Sequence, residues 1–164
     1  AVMLWFGAFK GSPHGTRTLA TKLPEMITLI KSEDEPEVSR SVPRRFLYEP
    51  DPAFLKADMV NDLANEFGLS LVDAKIAYLT GDDLIEVPLF KRYLVERVLE
   101  LEYGAINTAL SELGIGRVDF KARGVKIDLR KIHRKIRGKG RNIGLVIFTR
   151  IDARDQAIIC SYDG

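Results

Sequence analysis

The residues best suited to chemistry in this sequence are cations, and the chemistry they suit is phosphate binding. Eleven Lys and Arg lie between Arg117 and Arg141, against only Asp119 and Asp128. Elsewhere the chain holds 14 basic and 21 acidic side chains, so a formal charge of +2 conceals one strongly basic segment. Such asymmetry points to a polyanionic partner. Lys121, Arg123, Lys126, Arg130, Arg134, Arg137, Lys139 and Arg141 are the candidate phosphate contacts. The alternative is a solvated basic face balanced by acidic neighbours.

The elements that must position these cations are legible in the same segment. Val118, Phe120 and Ala122 alternate with Arg117, Asp119, Lys121 and Arg123, which predicts a half-buried strand with a mostly basic outer face. Gly124 shifts the parity to Val125 and Ile127, which predicts a bulge that turns Lys126 to the same outer side. Asp128 suits the N-cap of a short helix reaching about Arg137. On it Leu129, Ile132 and Ile136 share one side, and Arg130, Lys131, Arg134, Lys135 and Arg137 fan across the other. In the loop from Gly138 to Arg141, glycines would let backbone approach a ligand closely. Strand, helix and loop are expected to display one continuous cationic surface.

Other chemistry finds little support. Gly138 to Gly144 superficially suggests a nucleotide loop, but it runs helix, glycines, strand, the reverse of a dinucleotide loop. Asp82 and Asp83 sit in a turn and lack a third ligand nearby. His14 and His133 are the only histidines and Cys160 the only cysteine, so neither a zinc site nor a Cys-His nucleophile assembles. Trp5 and Phe6 suit a core strand better than a base-stacking platform.

A chain of 164 residues, 46% apolar, can bury one good core. It has no apolar run of membrane-spanning length and no signal-type leader, so no membrane partner and a cytoplasmic location are expected. It opens directly in the apolar Val2 to Phe6, as a piece of a longer protein would. Residues 1–9 read as a strand, and Arg17 to Leu23 with Met26 to Ile30 as a hairpin too small to stand alone. Ser32 to Arg45 has the composition of a loosely attached linker. Asp51 followed by Pro52 starts a helix that carries Leu55, Met59, Val60, Leu63 and Phe67 and stops at Gly68. Ile76 to Thr80 is a short strand and Ala105 to Leu113 a helix. Leu89 to Leu101 fits a helix by periodicity but also fits a strand. Ile143 to Ile151 is a strand buried on both sides, with Ala157 to Tyr162 as its hairpin partner.

Leu4-Trp5-Phe6-Gly7, the run from Phe46 to Pro52 with its helix, and Ala77-Tyr78-Leu79-Thr80-Gly81-Asp82 occur in that order. With the basic strand and helix, they resemble the C-terminal portion of class I SAM-dependent methyltransferases that carry a THUMP-like domain. The resemblance covers nearly the whole chain. It implies an α/β fold: a compact mixed-sheet THUMP-like domain over residues 46–163, joined by a linker over 32–45 to strands in 1–31. Those strands look like the end of a Rossmann-like methyltransferase sheet. It also reads Tyr93 to Leu101 as a strand, against the periodicity. THUMP domains bind RNA in RNA-modifying enzymes, so RNA and the chain's own N-terminal methyltransferase domain are the implied partners. S-adenosylmethionine is the implied cofactor of the full-length protein. No glycine-rich cofactor loop and no Asn/Asp-Pro-Pro-aromatic motif appear here, so this chain is expected to hold no cofactor and to contribute no catalytic residue. The other reading is a protein-interaction or structural domain whose basic face docks on an acidic partner or on the catalytic domain.

Overall fold

A computed structural model describes residues 18–162. The strand expected at residues 1–9, Trp5, Phe6 and His14 lie outside the described residues. The elements run β1 (Leu19–Lys22), β2 (Ile27–Ile30), β3 (Phe46–Pro50), α1 (Pro52–Lys56), α2 (Val60–Glu66), β4 (Ser70–Asp73) and β5 (Ile76–Gly81). There follow β6 (Phe90–Glu100), α3 (Tyr103–Glu112), β7 (Ile115–Arg123), α4 (Leu129–Lys135), β8 (Asn142–Ile151) and β9 (Arg154–Tyr162). β1 and β2 form an antiparallel hairpin, and the other seven strands form one sheet in the order β4-β5-β3-β6-β9-β8-β7. Only β7 and β8 run parallel, as their connection through α4 requires, which makes the sheet mixed.

Side chains on alternate sheet faces build separate cores. On one face Phe46, Tyr48 and Leu79 pack with Phe54 of α1 and with Leu63 and Ala64 of α2. Further along it Val146, Phe148, Ala157 and Ile159 pack with Ile106 and Leu110 of α3 and Ile132 of α4. The opposite face carries Leu47, Tyr78, Tyr93, Leu145, Ile147, Ile158 and Cys160 and is closed by the curl of the sheet itself. Two contacts fix that curl. Arg123 on β7 donates to the Ala77 carbonyl on β5 at 3.1 Å. The buried Asp73 of β4 accepts from the Ala153 amide at 3.0 Å, in the tight turn between β8 and β9. Asp152 and Ala153 both take positive φ there, as a two-residue hairpin turn demands. Burial pushes the Cys160 thiol up to about 12, with the negative charge of Glu96 adding to the effect, so it is an inert core group.

Three local expectations are corrected. Asp51 does cap α1, accepting from the Ala53 amide, but the single helix predicted to reach Phe67 breaks at Asp58, whose φ is 54°. Asp tolerates this left-handed geometry better than most residues, and the break turns Met59 fully into the core. Gly124 is not a bulge: β7 ends at Arg123 and its register shift lies at Gly116. The linker is attached along both halves: the Ser32 amide donates to Asp62 Oδ1 at 2.7 Å, and Glu35 accepts from the Asn61 side-chain amide at 2.8 Å. Leu71 exchanges backbone hydrogen bonds with Ser39 and Ser41, and Ser70 bonds Ser39 and Arg44, so residues 39–44 cover the free edge of β4. The segment from Phe90 to Glu100 is a strand paired on both sides, as the resemblance implied.

The hairpin turns Ala20, Ile27 and Leu29 toward the core beside α1 and α2 and leaves Leu19, Leu23, Met26 and Ile30 more than half exposed. Among the described residues no helix is long and apolar enough to cross a membrane.

Candidate nucleic-acid interface

The basic segment divides between the two sheet faces. Lys121 and Arg123 stand opposite Ile147 and Thr149 and project into the curl, not outward. There the Glu49 carboxylate accepts from Lys121 Nζ, from Arg123 at 3.3 Å and from the Tyr93 hydroxyl at 2.8 Å. Lys121 lies 5.1 Å from the Tyr93 ring centre, and Arg123 lies 4.8 Å from that of Tyr78. Burial alone would raise the Glu49 pKa. The Lys121 and Tyr93 hydrogen bonds and the charges of Lys121 and Arg123 outweigh it and hold the group below its usual value. Burial, with the negative Glu49 beside them, pushes both tyrosine hydroxyls well above their usual range. Two of the eight candidates are thus engaged in an internal ion-pair network, which the strand alternation alone did not reveal.

The other six candidates remain exposed. Asp128 caps α4 by accepting from the Arg130 amide at 3.0 Å. Ile132 and Ile136 are buried, and Arg130 and Arg134, one turn apart, face solvent. His133, Arg134 and Lys135 occupy the last turn, where cations also complement the helix dipole. Lys135 lies over the Tyr103 ring, with its nitrogen 5.0 Å from the centre. Lys126 is exposed in the loop before α4, and Arg137, Lys139 and Arg141 follow the helix. Among the described residues, Lys126, Arg130, Lys131, Arg134, Arg137, Lys139 and Arg141 make no ion pair. Lys131 therefore joins the six. Because α4 covers the face opposite the curl, the strand and helix cations do not form one continuous surface.

The glycines of this region serve backbone packing. The loop at Gly138 and Gly140 crosses the start of β7 so closely that a Cβ at Gly138 would overlap the Ile115 carbonyl. One at Gly140 would overlap the Gly114 carbonyl, and one at Gly116 the Gly140 carbonyl. The Asn142 amide donates to the Gly114 carbonyl at 3.0 Å, and the Arg137 amide donates to Asn107 Oδ1 at 2.8 Å. Chain meets chain here, so Lys139 and Arg141 are presented from an anchored loop.

Residues 90–162 match the family described as THUMP domain-like. Over 160 residues, 97% of this chain, the sequence is 29% identical to an uncharacterized S-adenosylmethionine-dependent methyltransferase of Mycobacterium tuberculosis, found in strains CDC 1551 and H37Rv. The chain spans 43% of the length of those relatives. The fold is similar to that of a Porphyromonas gingivalis W83 protein assigned as a methyltransferase. That likeness has a TM-score of 0.66 at 12% identity and covers 90% of this chain and 38% of the other.

Proposed function

We infer that this chain is a C-terminal portion of a THUMP-like, S-adenosylmethionine-dependent methyltransferase, a reading supported by the family match over residues 90–162 and by the similarity to the mycobacterial methyltransferases. Its part in such a protein is to hold an RNA substrate while methyl transfer proceeds elsewhere. Cofactor and catalytic groups belong to the rest of the full-length protein. The observation that carries this reading is the set of exposed cations along α4 and its flanking loops, free of carboxylate partners among the described residues. Free cations on an anchored scaffold provide phosphate contacts that position a nucleic acid without reading its sequence. The apolar outer side of the β1–β2 hairpin, with Leu19, Met26 and Ile30, faces the protein's own methyltransferase domain in the same reading.

The test is the double substitution Arg130→Glu with Arg134→Glu, which leaves Ile132 and Ile136 untouched. RNA affinity is expected to fall. The slope of log affinity against log salt should become shallower by about 1.4 to 1.8, because each lost phosphate contact removes 0.7 to 0.9. A folded variant with unchanged RNA affinity and salt slope refutes the reading. The exposed cations would then be a docking face for an acidic protein partner.

A further inference from the structure

Beside the cationic loop lies a cleft of about 300 Å³ lined by Glu96, Leu113, Ile115, Asn142, Ile143 and Ser161. Two irregularities border it. On β6, Val95 stands opposite Cys160 and Arg97 opposite Ile159, so Glu96 is the extra residue of a β-bulge. On β7, Ile115 pairs with Asn142 and Arg117 with Ile143, which leaves Gly116 unmatched. Bulges re-aim side chains, and this one brings Glu96 to the cleft, where it accepts from the Ser161 hydroxyl at 2.7 Å through Oε1. Asn142 donates its side-chain amide to the Leu113 carbonyl at 3.1 Å, which fixes its orientation. Glu96 Oε2 and Asn142 Oδ1 have no partner among the described residues. Ile143, 47% exposed, adds an apolar patch, and Arg141 stands one residue before the lining Asn142.

An apolar surface, a carboxylate acceptor and an adjacent free guanidinium together suit one kind of guest. We propose that this cleft takes an unpaired RNA base that bears an exocyclic amino group, with its phosphate held by Arg141 and Lys139. Glu96 selects the base. Its carboxylate accepts from the N4 amino group of cytosine, whereas uracil turns a carbonyl oxygen to the same place and is repelled. Unpaired bases offer these edges freely, and apolar side chains can contact their faces. The proposal rests on the RNA-binding reading above and gives it a base preference that phosphate contacts cannot supply.

The closing experiment measures binding of octacytidylate and octauridylate RNA to the chain, to Glu96→Gln, and to Arg130→Glu with Arg134→Glu. The chain is expected to prefer cytidine roughly tenfold, the discrimination of one good edge contact. Glu96→Gln can still bond Ser161 but also presents an amide donor to uracil, so the preference should collapse toward one with the salt slope unchanged. The double arginine variant should bind both oligomers more weakly at the same ratio. Equal binding of the two oligomers by the chain, or a preference that survives in Glu96→Gln, overturns the cleft and leaves RNA binding standing. Failure to bind either oligomer overturns both.

Discussion

Gly140→Ala is expected to destabilise the chain by about 3 kcal/mol or more, although it adds a single methyl group. Gly140 has φ 149°, a region that residues with a Cβ seldom enter. Its missing Cβ is also the space occupied by the Gly114 carbonyl. That obstacle is backbone at the end of α3, so no rotamer change relieves it, and the loop must lift off β7. Gly68→Ala separates the two effects. Its φ is 63° and nothing lies within 4 Å of the added Cβ, so only the left-handed conformation is penalised, by about 1–2 kcal/mol. Urea denaturation of both variants provides the comparison, and a Gly140→Ala loss no larger than that of Gly68→Ala would show that the two backbones are not in contact.

Glu49→Ala is expected to cost about 2–3 kcal/mol at neutral pH. The substitution leaves Lys121 and Arg123 facing each other without their shared carboxylate, and breaking a buried pair costs about 3–5 kcal/mol. The lower figure applies because the Lys121 and Arg123 side chains keep 34% and 31% exposure, where solvent screens the repulsion. The pH dependence follows from the direction of the Glu49 shift. A carboxyl held below its usual value in the folded chain contributes stability that is present above the ordinary value of 4.5. That stability is lost as pH falls through the lowered folded value. The difference between the chain and Glu49→Gln should therefore be full at neutral pH and shrink below about pH 4.5. A difference that stays constant from pH 7 into the acid range would mean that Glu49 is not held as an ion by its two cations.

The strand, helix and cap chemistry of the basic segment was legible because each rests on near neighbours in sequence. Asp128 as the cap of α4, and Ile132 with Ile136 as its inner side, follow from local hydrogen bonding and a repeat of three and four. The buried run of β8 and its return in β9 announced themselves by composition alone. Leu89 to Leu101 misled for an identifiable reason. The bulge at Glu96 moves the apolar positions from Tyr93 and Val95 to Val98, so a strand acquires a gap of three that imitates a helix. The same bulge makes the cleft, and local pattern offers no sign of it.

What the sequence determined by itself was therefore the α/β character, the basic segment and the inner and outer sides of α4. These depend on propensity, periodicity and charge within a few turns of chain. Only the tertiary structure decided which cations are free. Lys121 and Arg123 look the same as Arg130 and Arg134 in a charge count, but Glu49 lies more than seventy residues earlier in the chain. Curl of the sheet brings that carboxylate beneath β7, and no short-range pattern encodes the meeting. The glycines around residue 140 carry the same lesson. Their composition suggests a ligand loop, yet the close approach they permit is to Gly114 and Ile115, set by the crossing of two distant segments.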